Sequence, residues 1–96
     1  MYLVVSRWEP IAGHEQQFDE IGKVMRKTLA AQPGVELVEA FDSNGQKVVV
    51  HGYRDEAAYK AVIDDPNGPF IKAAQENRLE EHARWISSER GETVPR

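Results

Sequence analysis

The sequence predicts an α+β fold, an antiparallel four-stranded sheet with helices on one face, in the order βαββαβ. Three observations predict it. Asn44-Gly45 lies between two apolar, β-rich runs, and Asn-Gly accepts the positive φ angles of a tight hairpin turn. Phe18, Ile21, Met25 and Leu29 recur every three or four residues, the period of a helix with one apolar stripe. The stretch KVVVHGY, from Lys47 to Tyr53, puts three valines in a row and leaves no polar face.

Each element follows from local signals. Tyr2 to Trp8 is a first strand that stops at Pro10. Pro10 to Gly13 loops into a helix from about His14 to Ala31, with Val24 beside its apolar stripe, and Pro33-Gly34 ends it. Its acidic residues come early and its basic ones late, as the helix dipole favours. Val35 to Phe41 is the second strand, with Val35, Leu37, Glu39 and Phe41 expected on one face. The hairpin turn returns the chain antiparallel through Lys47–Tyr53. Asp55 suits the N-cap of a helix from Glu56 to about Ile63. Asp65-Pro66-Asn67-Gly68 breaks that helix, and Pro69 opens another that is expected to run to about His82. Arg84 to Glu89 is the last strand. Residues 1–90 are thus expected to form one domain, with 91–96 a frayed tail.

The valine run also bears on assembly. Helices cover one face of a four-stranded sheet. Alternation turns Val49 away from Val48 and Val50, so both faces of the third strand need cover. A second copy of the same sheet, related by a twofold axis, supplies the other face. A homodimer packed sheet to sheet is expected.

Composition excludes several classes. Twelve Lys plus Arg against sixteen Asp plus Glu give a net charge of −4, and the basic residues are scattered, so no phosphate-tracking surface forms and no nucleic-acid partner is expected. The chain has no cysteine, hence no disulfide, thiolate metal site or cysteine nucleophile. No apolar run approaches the ~20 residues that span a bilayer, and MYLVVSRWE lacks a signal peptide's basic start and cleavage site. A cytoplasmic protein without membrane association is the expectation. There is no Gly-rich phosphate loop, flavin or nicotinamide fingerprint, and no HExxH or two-histidine-one-carboxylate spacing.

Three stretches carry a family resemblance: RWEPIAGHEQQF, QPGVELVEAF and VVVHGYRDEAAYKAVIDDPNGPFIKAA. Over Tyr2 to about Glu89 the chain resembles the dimeric α/β-barrel superfamily, and within it the antibiotic-biosynthesis-monooxygenase-like domains. The resemblance implies a ferredoxin-like protomer and a dimeric barrel. It also implies either a cofactor-independent monooxygenase acting on a small apolar aromatic or quinol-type molecule, or a noncatalytic small-molecule-binding or stress-responsive barrel. The superfamily's haem-degrading branch uses an asparagine in the first strand, a tryptophan in the second helical region and an axial histidine. Those positions fall on Ser6, Val62 and Gln75, and an amide is a poor substitute for imidazole on iron. No haem, flavin or metal cofactor is therefore expected. Ser6, and Tyr59 in the stretch that sets the second match, are carried forward as candidate substrate-binding residues.

Among titratable residues His51 leads. With Val49 and Tyr53 it shares one strand face, where His51 and Tyr53 are candidates to move a proton between a phenol-like substrate and oxygen. The alternative is a histidine that hydrogen-bonds at the sheet–sheet interface. Gly52 beside it either admits a ligand to the backbone or marks a bulge. Ile71, Gln75, Leu79 and His82 are spaced to share a helical face, so Gln75 and His82 are candidates to bind a ligand, the alternative being a backbone carbonyl or water. Trp8 and Trp85 are candidates to line a flat aromatic cavity, or else core or interface residues. His14, at the helix start, is expected at the surface.

Overall fold

A computed structural model describes residues 1–96. Strand β1 (Tyr2–Pro10) leads into α1 (Glu15–Ala30), then β2 (Val35–Ser43) and β3 (Gln46–Tyr53). Helix α2 (Glu56–Tyr59) continues as a π-helical segment (Lys60–Asp64), followed by α3 (Pro69–Glu76), α4 (Leu79–His82) and β4 (Ala83–Glu92). The four strands form one antiparallel sheet in the order β2-β3-β1-β4. This is the expected α+β architecture, with βαββαβ connectivity.

Local chemistry accounts for the element ends. Asn44 and Gly45 take φ of 52° and 77°, positive at both central positions of the hairpin turn. Asp55 accepts the Ala58 N–H at 2.8 Å and caps α2, while Pro69 occupies the first turn of α3, where its missing N–H costs nothing. The last helical region is not the single helix expected. Asn77 turns its side-chain amide onto the Ala73 carbonyl at 2.8 Å, and Arg78 takes φ 52°, so the chain swivels before α4 begins. Residues before and after this joint no longer share a face. Leu79 is buried while Gln75 is exposed.

Two further departures concern strands. The register between β2 and β3 shifts between Val35 and Leu37, so Val35 joins the core instead of sharing Leu37's face. Strand β4 runs to Glu92, past the expected end, pairing Glu92 with Tyr2 and Gly91 with Leu3. Beyond it, the Thr93 N–H donates to the Met1 carbonyl at 2.9 Å.

The core lies between sheet and helices as two clusters. Tyr2, Val4, Leu29, Tyr53, Ala58, Tyr59 and Val62 form one, and Phe18, Met25, Ala73, Leu79 and Ala83 form the other. Phe70 packs against both. Along α1, Phe18, Met25 and Leu29 are buried as expected, whereas Val24 is exposed. The sheet's other face carries Leu3, Val5, Leu37, Phe41 and Val50 with no layer over it, and Phe41 is 54% exposed. Val48, paired with Arg7 and Phe41 on that face, is nevertheless only 1% exposed. No helix is long and apolar enough to cross a membrane.

Candidate functional site

Register builds the floor of the site. Cross-strand partners point to the same face, so the β3–β1–β4 pairing sets three rows beneath the helices. They are His51–Val4–Arg90, Val49–Ser6–Ser88 and Lys47–Trp8–Trp85. Helix α1 and the segment 59–70 close over these rows without filling the space. A cavity of about 360 Å³ remains between the two core clusters, walled by Phe18, Met25, Leu29, Ile63, Phe70 and Leu79. That volume lies in the range of small-molecule sites, and a mostly apolar wall with a few polar groups is their usual composition.

A chain of hydrogen bonds runs along the floor. The Ser6 Oγ lies 3.1 Å from His51 Nε2, and His51 Nδ1 lies 2.7 Å from the Tyr53 hydroxyl. Tyr53 is fully buried behind His51, its ring edge-on to Tyr59. Burial pushes His51 down to about 4 and raises Tyr53 well above the usual phenol value. Both are therefore neutral near pH 7. Tyr59 is also raised, first by burial and then by Asp64, against the opposing pull of Arg90. The Arg90 guanidinium carbon stands 5.8 Å from the Tyr59 ring centroid.

Charged groups mark the rim. Lys47 is bound to Asp42 at 2.6 Å and Asp19 at 3.3 Å, and the Asp42 hydrogen bond chiefly raises its pKa. Arg26 and Arg90 have no such carboxylate partner. The Arg26 guanidinium lies over Gly22, where a Cβ would come 2.8 Å from its Nη1, the movable end of a long side chain at the wall.

The expected site residues divide. Ser6, Trp8, His51, Tyr59 and Trp85 line the cavity, and Tyr53 backs it through His51. Gln75 and His82 lie elsewhere. Gln75 is on an exposed shallow surface with Ile71, Ala74 and Arg78. The Nδ1 of His82 meets the Nδ1 of His14 at 2.9 Å, so His14 is half-buried and partnered instead of free at the surface. The swivel at Arg78 accounts for both displacements. Gly52 sits on the open face, where a Cβ would come 3.2 Å from Leu3 and Leu37, next to the β2–β3 shift. Gly52 thus leaves room for side chains packed over the open face, Met1 nearest, opposite a bulge that lies on β2. Of the three haem-branch positions only Ser6 lines the cavity, while Val62 is buried in the core and Gln75 faces outward. No three His, Asp or Glu side chains converge as metal ligands.

Sequence reasoning missed Ser88, Arg90, Asp64 and Arg26. Ser88 and Arg90 belong to a strand whose register shifts between Arg7 and Trp8, which hides the alternation. Asp64 and Ile63 reach the cavity from the π-helical segment, closed by the Asp65 N–H to the Lys60 carbonyl at 3.0 Å. Helix spacing gave no sign of that widened turn.

No protein-family model and no curated protein matches the chain. Solved structures do. An antibiotic biosynthesis monooxygenase superposes with a TM-score of 0.79 at 15% identity, over 99% of this chain and 100% of its own. SnoaB from Streptomyces nogalater, described as a cofactor-independent oxygenase, superposes at 0.73 and 19% identity, over 99% and 92%. Rv0793 from Mycobacterium tuberculosis gives 0.78 at 16%, over 99% and 96%. At these identities the likeness establishes a shared fold.

Proposed function

We propose, from the fold this chain shares with antibiotic-biosynthesis-monooxygenase structures, that it is a cofactor-independent monooxygenase for a small apolar aromatic or quinol-type molecule. The carrying observation is the Ser6–His51–Tyr53 hydrogen-bond chain opening onto an unfilled apolar cavity. Both ring nitrogens of His51 are hydrogen-bonded and its ring lines the pocket, so the chain presents an ordered polar edge to a ligand on an otherwise apolar wall.

In this reading the substrate supplies the electrons. A quinol such as 1,4-dihydroxynaphthalene gives up two electrons on becoming a quinone and two more when a ring C–H becomes C–OH. One oxygen atom of O₂ enters the ring and the other leaves as water, which closes the balance. Tyr59, Trp8 and Trp85 hold the ring against the apolar wall of the pocket. The chain from Tyr53 through His51 to Ser6 orients a hydrogen bond to the reacting oxygen and passes protons along neutral groups.

We further infer a twofold homodimer through the open sheet face. The face is apolar and carries both signs of charge, as a self-complementary twofold contact requires. Arg7 lies among Leu3, Val5 and Val50 with Glu39 and Glu89 on the same surface.

The test is oxygen uptake with 1,4-dihydroxynaphthalene. His51→Ala is expected to lower turnover by ~10²-fold or more, since a positioned proton-transfer group is worth ~10²–10⁴-fold. Tyr53→Phe keeps the ring and is expected to lose less. Uptake no faster than the uncatalysed rate, or variants equal to the wild type, would transfer the case to the noncatalytic binding barrel.

A further inference from the structure

We propose that Ser6 and Ser88 form a two-hydroxyl cradle for one oxygen of the ligand, and that this oxygen is held as a phenolate or enolate anion. The inference rests on the reading above and names the substrate's recognised group. Ser6 on β1 and Ser88 on β4 are register partners in the middle row of the cavity floor, and both line the cavity. What each hydroxyl has left to offer follows from its neighbours.

Ser88 is the simpler case. The Trp85 indole Nε1 lies 2.9 Å from the Ser88 Oγ, and an indole N–H can only donate. The Ser88 oxygen therefore accepts, and its own proton remains to be given away. Ser6 depends on which nitrogen of His51 carries the ring proton, and Tyr53 decides that. Its hydroxyl is sealed in the core, with His51 Nδ1 at 2.7 Å as its partner. If Nδ1 donated, the phenol proton would lie buried with no acceptor, a costly arrangement. Tyr53 therefore donates to Nδ1. The neutral ring holds its one proton on Nε2, which donates to the Ser6 Oγ at 3.1 Å. Ser6, like Ser88, accepts from the protein and has a free O–H. Tyr53 and Trp85 are thus positioning residues that turn two serines into donors.

Two adjacent donors with no protein acceptor suit one oxygen rich in negative charge. Charged and titratable groups reach the cavity from several elements packed around it. Arg26 comes from α1, Lys47 and His51 from β3, Tyr59 and Asp64 from the segment after β3, and Arg90 from β4. Lys47 with its two aspartates carries one net negative charge and His51 is neutral. Arg26 and Arg90 balance that charge and Asp64, so the preference for an anion comes from the two hydroxyl donors themselves. Because Ser6 accepts from Nε2–H, it has no base to activate it, and the same geometry argues against a serine nucleophile.

The experiment is an anaerobic titration of bound 1-naphthol, whose absorption reports its ionisation, with oxygen excluded so that binding is read apart from turnover. A hydrogen bond to a charged group is worth roughly 10–100-fold. The wild type is expected to favour the bound naphtholate by about 100-fold over free solution. Ser6→Ala and Ser88→Ala should each remove about tenfold, and the double variant nearly all. Ser88→Ala leaves melting unchanged, whereas Ser6→Ala lowers it by leaving the His51 Nε2–H without its acceptor. Nitrogen-15 NMR of His51 should show the Nε2–H tautomer, lost as a single form in Tyr53→Phe. A bound naphthol that stays neutral, no naphthol binding at millimolar concentration, serine variants that bind the anion like wild type, or an Nδ1–H signal overturns the cradle. Naphtholate binding without any oxygenation sustains the cradle and removes the monooxygenase reading. Oxygenation indifferent to both serines does the reverse.

Discussion

At the scale of the residue, His51 joins stability to the site. Burial holds it at about 4 against an ordinary 6.5, so between those pH values the unfolded chain binds a proton that the folded chain does not. Stability is complete above about pH 6.5, falls as the pH drops through the window, and levels off below about 4. The whole effect is about 3 kcal/mol. Urea melts at fixed protein concentration should therefore show wild type losing about 2 kcal/mol more than His51→Gln between pH 7 and 4.5; parallel losses would mean the histidine is solvated. His51 and Tyr53 were legible in the sequence because alternation on a regular strand puts residues two apart on one face. Their bond to Ser6 was not, since it joins residues 45 apart through a register that no single strand encodes.

At the scale of the element, regular stretches gave themselves away and joints did not. The hairpin at Asn44-Gly45, the capped start of α2 and the proline at the head of α3 each rest on one residue's backbone preference. The break at Asn77–Arg78 rests on an arginine with φ 52°, a conformation ordinarily left to glycine or asparagine. Helical spacing carried through that joint put Gln75 and His82 on a face that does not exist. The sheet's uncovered face belongs to this scale too. Val50→Glu, at the middle of that face between Val5 and Glu39, is expected to give folded monomers by sedimentation at micromolar concentration where the wild type gives dimers. Wild-type monomers at that concentration would refute the sheet-to-sheet dimer. Val48→Glu is a different experiment, because Val48 is already sealed within the protomer and a charge there unfolds the chain.

At the scale of the whole molecule, the cavity exists because two core clusters meet only through Phe70. The result is a pocket of about 360 Å³ that opens to the surface beside Trp85, which is 59% exposed. Apolar pattern alone told which residues point inward, but not that they would stop short of one another. Arg90 is instructive here. It was placed at the domain's last residue, yet the strand continues through it and sets its guanidinium over Tyr59 beside the cavity.

Under the proposed function, a quinol bound in this cavity reduces dioxygen with electrons of its own. The most direct test of that step is mass spectrometry of the product formed from 1,4-dihydroxynaphthalene under ¹⁸O₂, with desalted and chelator-treated protein. The account predicts one ¹⁸O atom in the new ring hydroxyl of the hydroxyquinone, formed faster than in a boiled-protein control. A product without the label, or labelled only at the control's rate, would contradict it.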